Sequence, residues 1–172
     1  AWCGPCRMVG PLVEELSNGK TRITLNIINA VDGEMYHIHA HDGADPATTP
    51  NGTPYNESPN ADLFTQHAMA MNGMATATQT TDMSYTDITT TYAGFFVIHD
   101  PLQAVSTTDI TSYLAVGGFA RTQANKDYKS ATFSYSFNTG QLVPSFAYSG
   151  PHAADLAATV QVDELEGNMS RV

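Results

Sequence analysis

The sequence predicts a mainly β fold, an antiparallel β-sandwich, and three observations carry that prediction. Only 14% of the residues are charged while Thr, Ala, Ser and Asn are plentiful, the profile of a β-rich, often extracellular chain. Apolar residues alternate with polar ones at Ile23, Leu25 and Ile27, and again at Phe133, Tyr135 and Phe137. Such a period of two belongs to strands with one buried face. Turn residues punctuate these runs, as in Ser17-Asn18-Gly19-Lys20, Asp32-Gly33 and Asn138-Thr139-Gly140. At 172 residues the chain is one domain with an appendage, long enough to bury a core.

The elements follow in order. Residues 7–16 read either as an amphipathic helix or as an extended segment. Residues 21–28 are a strand, and residues 35–39 the next. Residues 41–62 are a loop, because Pro46, Pro50, Pro54 and Pro59 cannot serve an internal strand. A loop of that length in a compact domain is usually functional. Residues 63–80, with alternating Ala and Met and then alternating Thr, leave strand and loop both open. Residues 84–92 are a loop with a short helix or strand. Residues 94–99 are a buried strand stopped by Asp100-Pro101. Residues 106–115 read as a capped short helix or a loop, and 117–121 as a tight segment of close backbone approach. Residues 131–137 and 141–148 pair as strands, and 156–165 close the chain as a strand or short helix.

The net charge of −10 argues against nucleic acid or an anionic membrane as partner. An anionic substrate would need a local positive focus. No apolar run is long enough to span a bilayer, so no transmembrane segment is expected. No signal peptide is visible and the chain opens abruptly, so a mature or trimmed N-terminus is expected. Sequons at Asn51, Asn56 and Asn168 are compatible with secretion to the medium or cell surface.

The two cysteines, Cys3 and Cys6, are spaced as a redox pair or half a zinc site. The run Trp2-Cys3-Gly4-Pro5-Cys6-Arg7-Met8 resembles the thioredoxin active-site turn. That resemblance covers about a sixth of the chain. It implies Cys3 as nucleophile, Cys6 as resolving thiol and a reversible disulfide between them. The preceding strands and helix of a thioredoxin, and its cis-proline segment, have no counterpart here.

Two histidines one residue apart on a strand point to the same face, so His37 and His39 can reach one metal ion. Neutral imidazole suits copper and zinc. With its alternating strand, short turn and Tyr36-His37-Ile38-His39, the segment 21–42 resembles the Cu/Zn superoxide dismutases. Phe96-Val97-Ile98-His99-Asp100 is similar to the strand that ends in that family's last copper-binding histidine. Gly117-Gly118-Phe119-Ala120-Arg121 is similar to the segment carrying its substrate-guiding arginine. Residues 62–67 resemble a segment of the secreted, copper-only branch. Together these span about residues 21–121. The resemblance implies copper held by His37, His39 and His99, with Arg121 guiding superoxide. The loop histidine that bridges metals in the family has no counterpart, so His67 substitutes or three histidines suffice. The family's zinc cluster is missing, and zinc is not expected. His41 and His152 are expected to be solvent-exposed.

The run His67-Ala68-Met69-Ala70-Met71 would place His67, Met69 and Met71 on one strand face. Thioethers and imidazole are soft ligands suited to Cu(I), although methionine also fills irregular cores.

The sequence therefore predicts a Greek-key, superoxide-dismutase-like sandwich over residues 21–121. An N-terminal segment, 1–20, carries the thioredoxin-like turn. A C-terminal β extension, 122–172, packs on the sandwich or between subunits. The expected function is copper binding with superoxide dismutation. The alternatives are a dithiol oxidoreductase using Cys3 and Cys6, and a non-catalytic extracellular assembly protein built on exposed strand edges, as a homo-oligomer.

Overall fold

The computed structural model describes residues 20–106, 109, 112–120, 132–138 and 156–165. The Cys3–Cys6 turn, the 7–16 segment, Arg121, the 141–148 strand and His152 lie outside the described residues. Two antiparallel four-stranded sheets make up the fold, with almost no helix among the described residues. The strands are β1 (Thr21–Ile28), β2 (Met35–Asp42), β3 (Thr65–Met69), β4 (Met74–Thr81), β5 (Ala93–His99), β6 (Tyr113–Ala120), β7 (Thr132–Asn138) and β8 (Ala157–Glu164). The first sheet runs β4-β1-β8-β7 and the second β3-β2-β5-β6.

The alternation in β1 does what its period dictates. Ile23, Leu25 and Ile27 are fully buried between the sheets, against Tyr36 and Ile38 of β2 and Val160 and Val162 of β8. The opposite face of the first sheet is polar and wet. There Thr76 donates to Asn26 at 2.8 Å, and Arg22 pairs with Asp163 at 3.2 Å. Strand β8 is thus an interior strand of the first sheet, paired along its whole length with β1.

Residues 63–80 resolve into β3 and β4, joined by Asn72-Gly73. Both turn residues have positive φ, 55° and 74°. Asn-Gly is the pair that adopts this geometry most cheaply, because its twist matches that of the flanking strands. The turn carries the chain from one sheet to the other, since β3 belongs to the second sheet and β4 to the first. Between β4 and β5 lies one helical turn and a half, α1 (Tyr85–Thr90). Ser84 caps it, its hydroxyl accepting from the Asp87 amide at 3.0 Å.

The expectation of a helix or loop over 106–115 is corrected at its C-terminal end, where β6 begins at Tyr113 and runs through the Gly117-Gly118 pair. The physical reason is the strand opposite. Gly117 and Gly118 face Phe96 and Phe95 of β5. A strand glycine leaves room for bulky neighbours at the cost of its own packing. Phe119 then meets Phe96 edge to face at 4.9 Å in the core.

The two sheets differ in one respect that positions the site. In the first sheet, β1, β4 and β8 bury their inner residues, and their outward residues are half-buried or exposed. The second is covered on both faces along β5, which accordingly reads as an almost unbroken apolar run with Phe95 to His99 all buried, while the sheet's outer face stays open at the β2–β3 end, where Met35, His67 and Met69 are exposed. Its outer cover is the 43–64 loop. Gly43 bridges Tyr55, the Asn56 amide donates to the Asp42 carbonyl at 2.7 Å, and the Asn60 amide donates to the Ala40 carbonyl at 2.8 Å. Glu57 holds the loop in shape. Its carboxylate accepts from the Asn51 backbone at 3.0 Å, the Asn51 side chain at 2.9 Å and the Thr53 hydroxyl at 3.1 Å.

Candidate metal centre

Five of the six histidines stand on the outer face of the second sheet. The even positions of β2, Tyr36, Ile38 and Ala40, fill the core. The odd positions, His37, His39 and His41, therefore point the other way. His67 of β3 lies directly opposite His37, and their rings are 4.1 Å apart. His99 ends β5 on the same face, with its ring 5.0 Å from that of His39. The structure thus brings together all four histidines singled out in the sequence as metal ligands, as two close pairs.

The pairs differ in environment. His37 is half-buried and His67 exposed, whereas His39 and His99 are buried. A second apolar cluster, Tyr55, Phe95, Val97, Tyr113 and Val116, lies on this outer face. The Tyr113 ring stands edge-on to His99 at 4.9 Å. Burial drives the His99 imidazole down to about 3, and neighbouring His39 adds to the shift. Burial likewise takes His39 down to about 4, with His41 and His37 contributing. The same cause lowers His37, assisted by His67. These imidazoles are therefore neutral at pH 7, the state in which a ring nitrogen can bind a metal without first losing a proton.

His41 is a correction. Far from being exposed, it is fully buried, its ring 5.5 Å from Tyr55. Strand β2 continues to Asp42, so His41 shares the face of His37 and His39, and the loop closes over it. Its Nδ1 lies 2.8 Å from the Asn56 carbonyl. Burial lowers its pKa, against that carbonyl, which favours the charged form. The signal was legible as a third histidine at the same spacing of two. Tyr55 and Tyr113, which wall the site, carried no such signal, because only the folded loop and β6 bring them there.

Several polar atoms here are buried without hydrogen-bond partners. They are Nδ1 of His39, Nε2 of His41, both ring nitrogens of His99, the Tyr55 hydroxyl and Thr65 Oγ1. A buried polar atom left unpaired costs about 1–3 kcal/mol, so such a concentration asks for an explanation. An ion taken up by imidazole nitrogens supplies one. Two rings sharing an ion, with nitrogen–metal distances of about 2 Å, have centroids about 5 Å apart, as His39 and His99 do. Among the described residues no group of three His, Cys, Asp or Glu is arranged to hold an ion. His39 and His99 are two adjacent buried imidazoles, with ring centroids 5.0 Å apart.

Comparison of the chain with protein-family models, with curated proteins and with solved structures finds no match. No helix among the described residues is long and apolar enough to cross a membrane.

Proposed function

We propose that this chain is a copper-binding, superoxide-dismutase-like sandwich in which His39, His99 and His37 hold the ion. The observation that carries the reading is the His39–His99 pair, 5.0 Å apart, buried, with three of its four ring nitrogens unpartnered. His37, half-exposed beside them, completes the set by a side-chain rotation. His67 and His41 flank it on the open and the closed side. The strand order supports a Greek key. Strand β2 pairs with β3, the chain then crosses at Asn72-Gly73 to β4 on the edge of the other sheet, and β5 returns through the α1 connection to lie beside β2.

Copper bound here supplies one-electron redox chemistry of the kind superoxide dismutation uses. The protein's own residues present neutral imidazoles, and Tyr55, Phe95, Val97, Tyr113 and Val116 keep water from the inner side. Access for a small anion is from the His37 and His67 side. The role of Arg121 as anion guide rests on the family resemblance. A lightly charged, Thr-rich sequence supports a secreted or cell-surface location.

The test is copper stoichiometry and the EPR spectrum after Cu(II) loading and dialysis. One retained ion with several nitrogen couplings, followed by superoxide turnover, is expected. No retained copper would sink the reading and leave cysteine chemistry or a structural sandwich.

A further inference from the structure

The open end of the histidine face carries a second kind of ligand. On β2 and β3, Met35 lies directly opposite Met69, and His37 directly opposite His67. Both cross-strand pairs share the outward face, because 35 and 37, like 67 and 69, are two residues apart. Side chains opposite one another in an antiparallel ladder have Cβ atoms about 4.5–5.5 Å apart. The two imidazoles have already closed to 4.1 Å. Met35 and Met69 are 39% and 49% exposed, and Met71 and Met74 extend the methionines around the Asn72-Gly73 turn, more exposed still.

Two of the chain's seven methionines, Met35 and Met69, are therefore at the surface beside a histidine pair, and two more, Met71 and Met74, are exposed at the turn that follows. Methionine is mostly a core residue, and a flexible thioether in water gains nothing from packing. No described Lys or Arg stands on this face. The two described cations, Lys20 and Arg22, pair with Asp82 and Asp163, and Arg22 lies on the first sheet.

We propose that Met35, His37, His67 and Met69 form a surface site for Cu(I), a soft monovalent ion matched by two thioethers and two imidazoles. Such a donor set selects Cu(I) over hard cations such as Mg²⁺ and Ca²⁺. The site stands on its own geometry but shares His37 with the copper reading of the buried pair, so the two sites compete for that one imidazole. Three rotatable bonds let each methionine swing its sulfur over the imidazole pair without moving the strands.

The experiment is an anaerobic Cu(I) titration of the full chain against a coloured Cu(I) chelator, with X-ray absorption of the loaded protein. The variant is Met35→Leu/Met69→Leu, which keeps side-chain volume at two exposed positions. Sulfur is expected in the wild-type Cu(I) shell. The variant is expected to lose that sulfur and to bind Cu(I) at least about tenfold more weakly, while Cu(II) held by the buried pair keeps its EPR spectrum. A nitrogen-only shell, or unchanged Cu(I) affinity in the variant, overturns the proposal and leaves the methionines as an apolar face. Sulfur-ligated Cu(I) in a protein that retains no Cu(II) would uphold the surface site while defeating the buried one.

Discussion

His41 Nδ1 lies 2.8 Å from the carbonyl of Asn56, tying the closed side of the histidine face to the loop that covers it. The carbonyl can only accept, so Nδ1–H donates, the tautomer is set and Nε2 is the nitrogen left buried without a hydrogen-bond partner. Removing the imbedded ring removes a buried contact and the tether together. His41→Ala is expected to cost about 2–3 kcal/mol and to speed hydrogen exchange of the Asn56 and Asn60 amides. Unaltered denaturant midpoint and exchange would show that the loop holds its place without His41.

Copper retention separates the two chemistries legible in the chain. On the proposed copper reading, His99→Ala is expected to abolish tight Cu(II) binding, because it removes one of the two adjacent buried imidazoles. Cys3→Ser is expected to leave it intact. Insulin-disulfide reduction that disappears in Cys3→Ser would instead favour the dithiol reading.

Acid stability of the metal-free protein follows from the buried imidazoles. Unfolded histidine titrates near 6.5, whereas folded His39 and His99 titrate near 4 and 3. Below 6.5 the unfolded chain takes up protons that the folded chain refuses. The stabilisation is fully present above 6.5 and is lost as pH falls toward the folded values, at up to about 1.4 kcal/mol per pH unit for each imidazole. Urea midpoints at pH 7.5, 6, 5 and 4 are expected to fall, less steeply in His99→Leu. A flat series would contradict neutral burial.

Gly94 meets the Tyr92 ring so closely that a Cβ at that position would overlap the ring and phenol oxygen. Tyr92 donates to Asp42 Oδ1 at 2.9 Å and packs on Phe119. Gly94→Ala must displace that ring. It is expected to lower stability by about 1–3 kcal/mol, measured by thermal unfolding. Tyr92→Phe, which keeps the ring and loses the hydrogen bond, is expected to cost less.

Glu57 is 6% exposed and gathers three donors from Asn51 and Thr53. Glu57→Ala removes the carboxylate that ties Asn51 and Thr53 to one point, while the Thr53 hydroxyl keeps the Tyr55 carbonyl as an acceptor at 2.8 Å. A loss of about 2 kcal/mol is expected, with weaker copper retention because the cover over His41 loosens. Copper binding that survives unchanged would separate loop order from the site.

The sequence by itself determined which side chains share a strand face. Alternation is a property of the extended backbone, so Ile23, Leu25 and Ile27 had to point one way, and His37 and His39 had to share a side; His41 joins them only because β2 runs on to Asp42, past the end at His39 that the sequence predicts. It also marked the Asp32-Gly33 turn and the end of β5 at Asp100-Pro101, where backbone preferences act over a few residues. Only the tertiary structure decided that the histidine face is buried at one end and open at the other, because burial depends on where the 43–64 loop lies. The 63–80 segment stayed ambiguous for a related reason. Its Ala and Thr residues carry little apolar contrast, and pairing with β2 and β1 made them strands. The place of β8 beside β1 was equally beyond local reading, since the Arg22–Asp163 contact joins residues 141 apart. Pairing across such a separation depends on the whole chain having collapsed, not on any short stretch of residues.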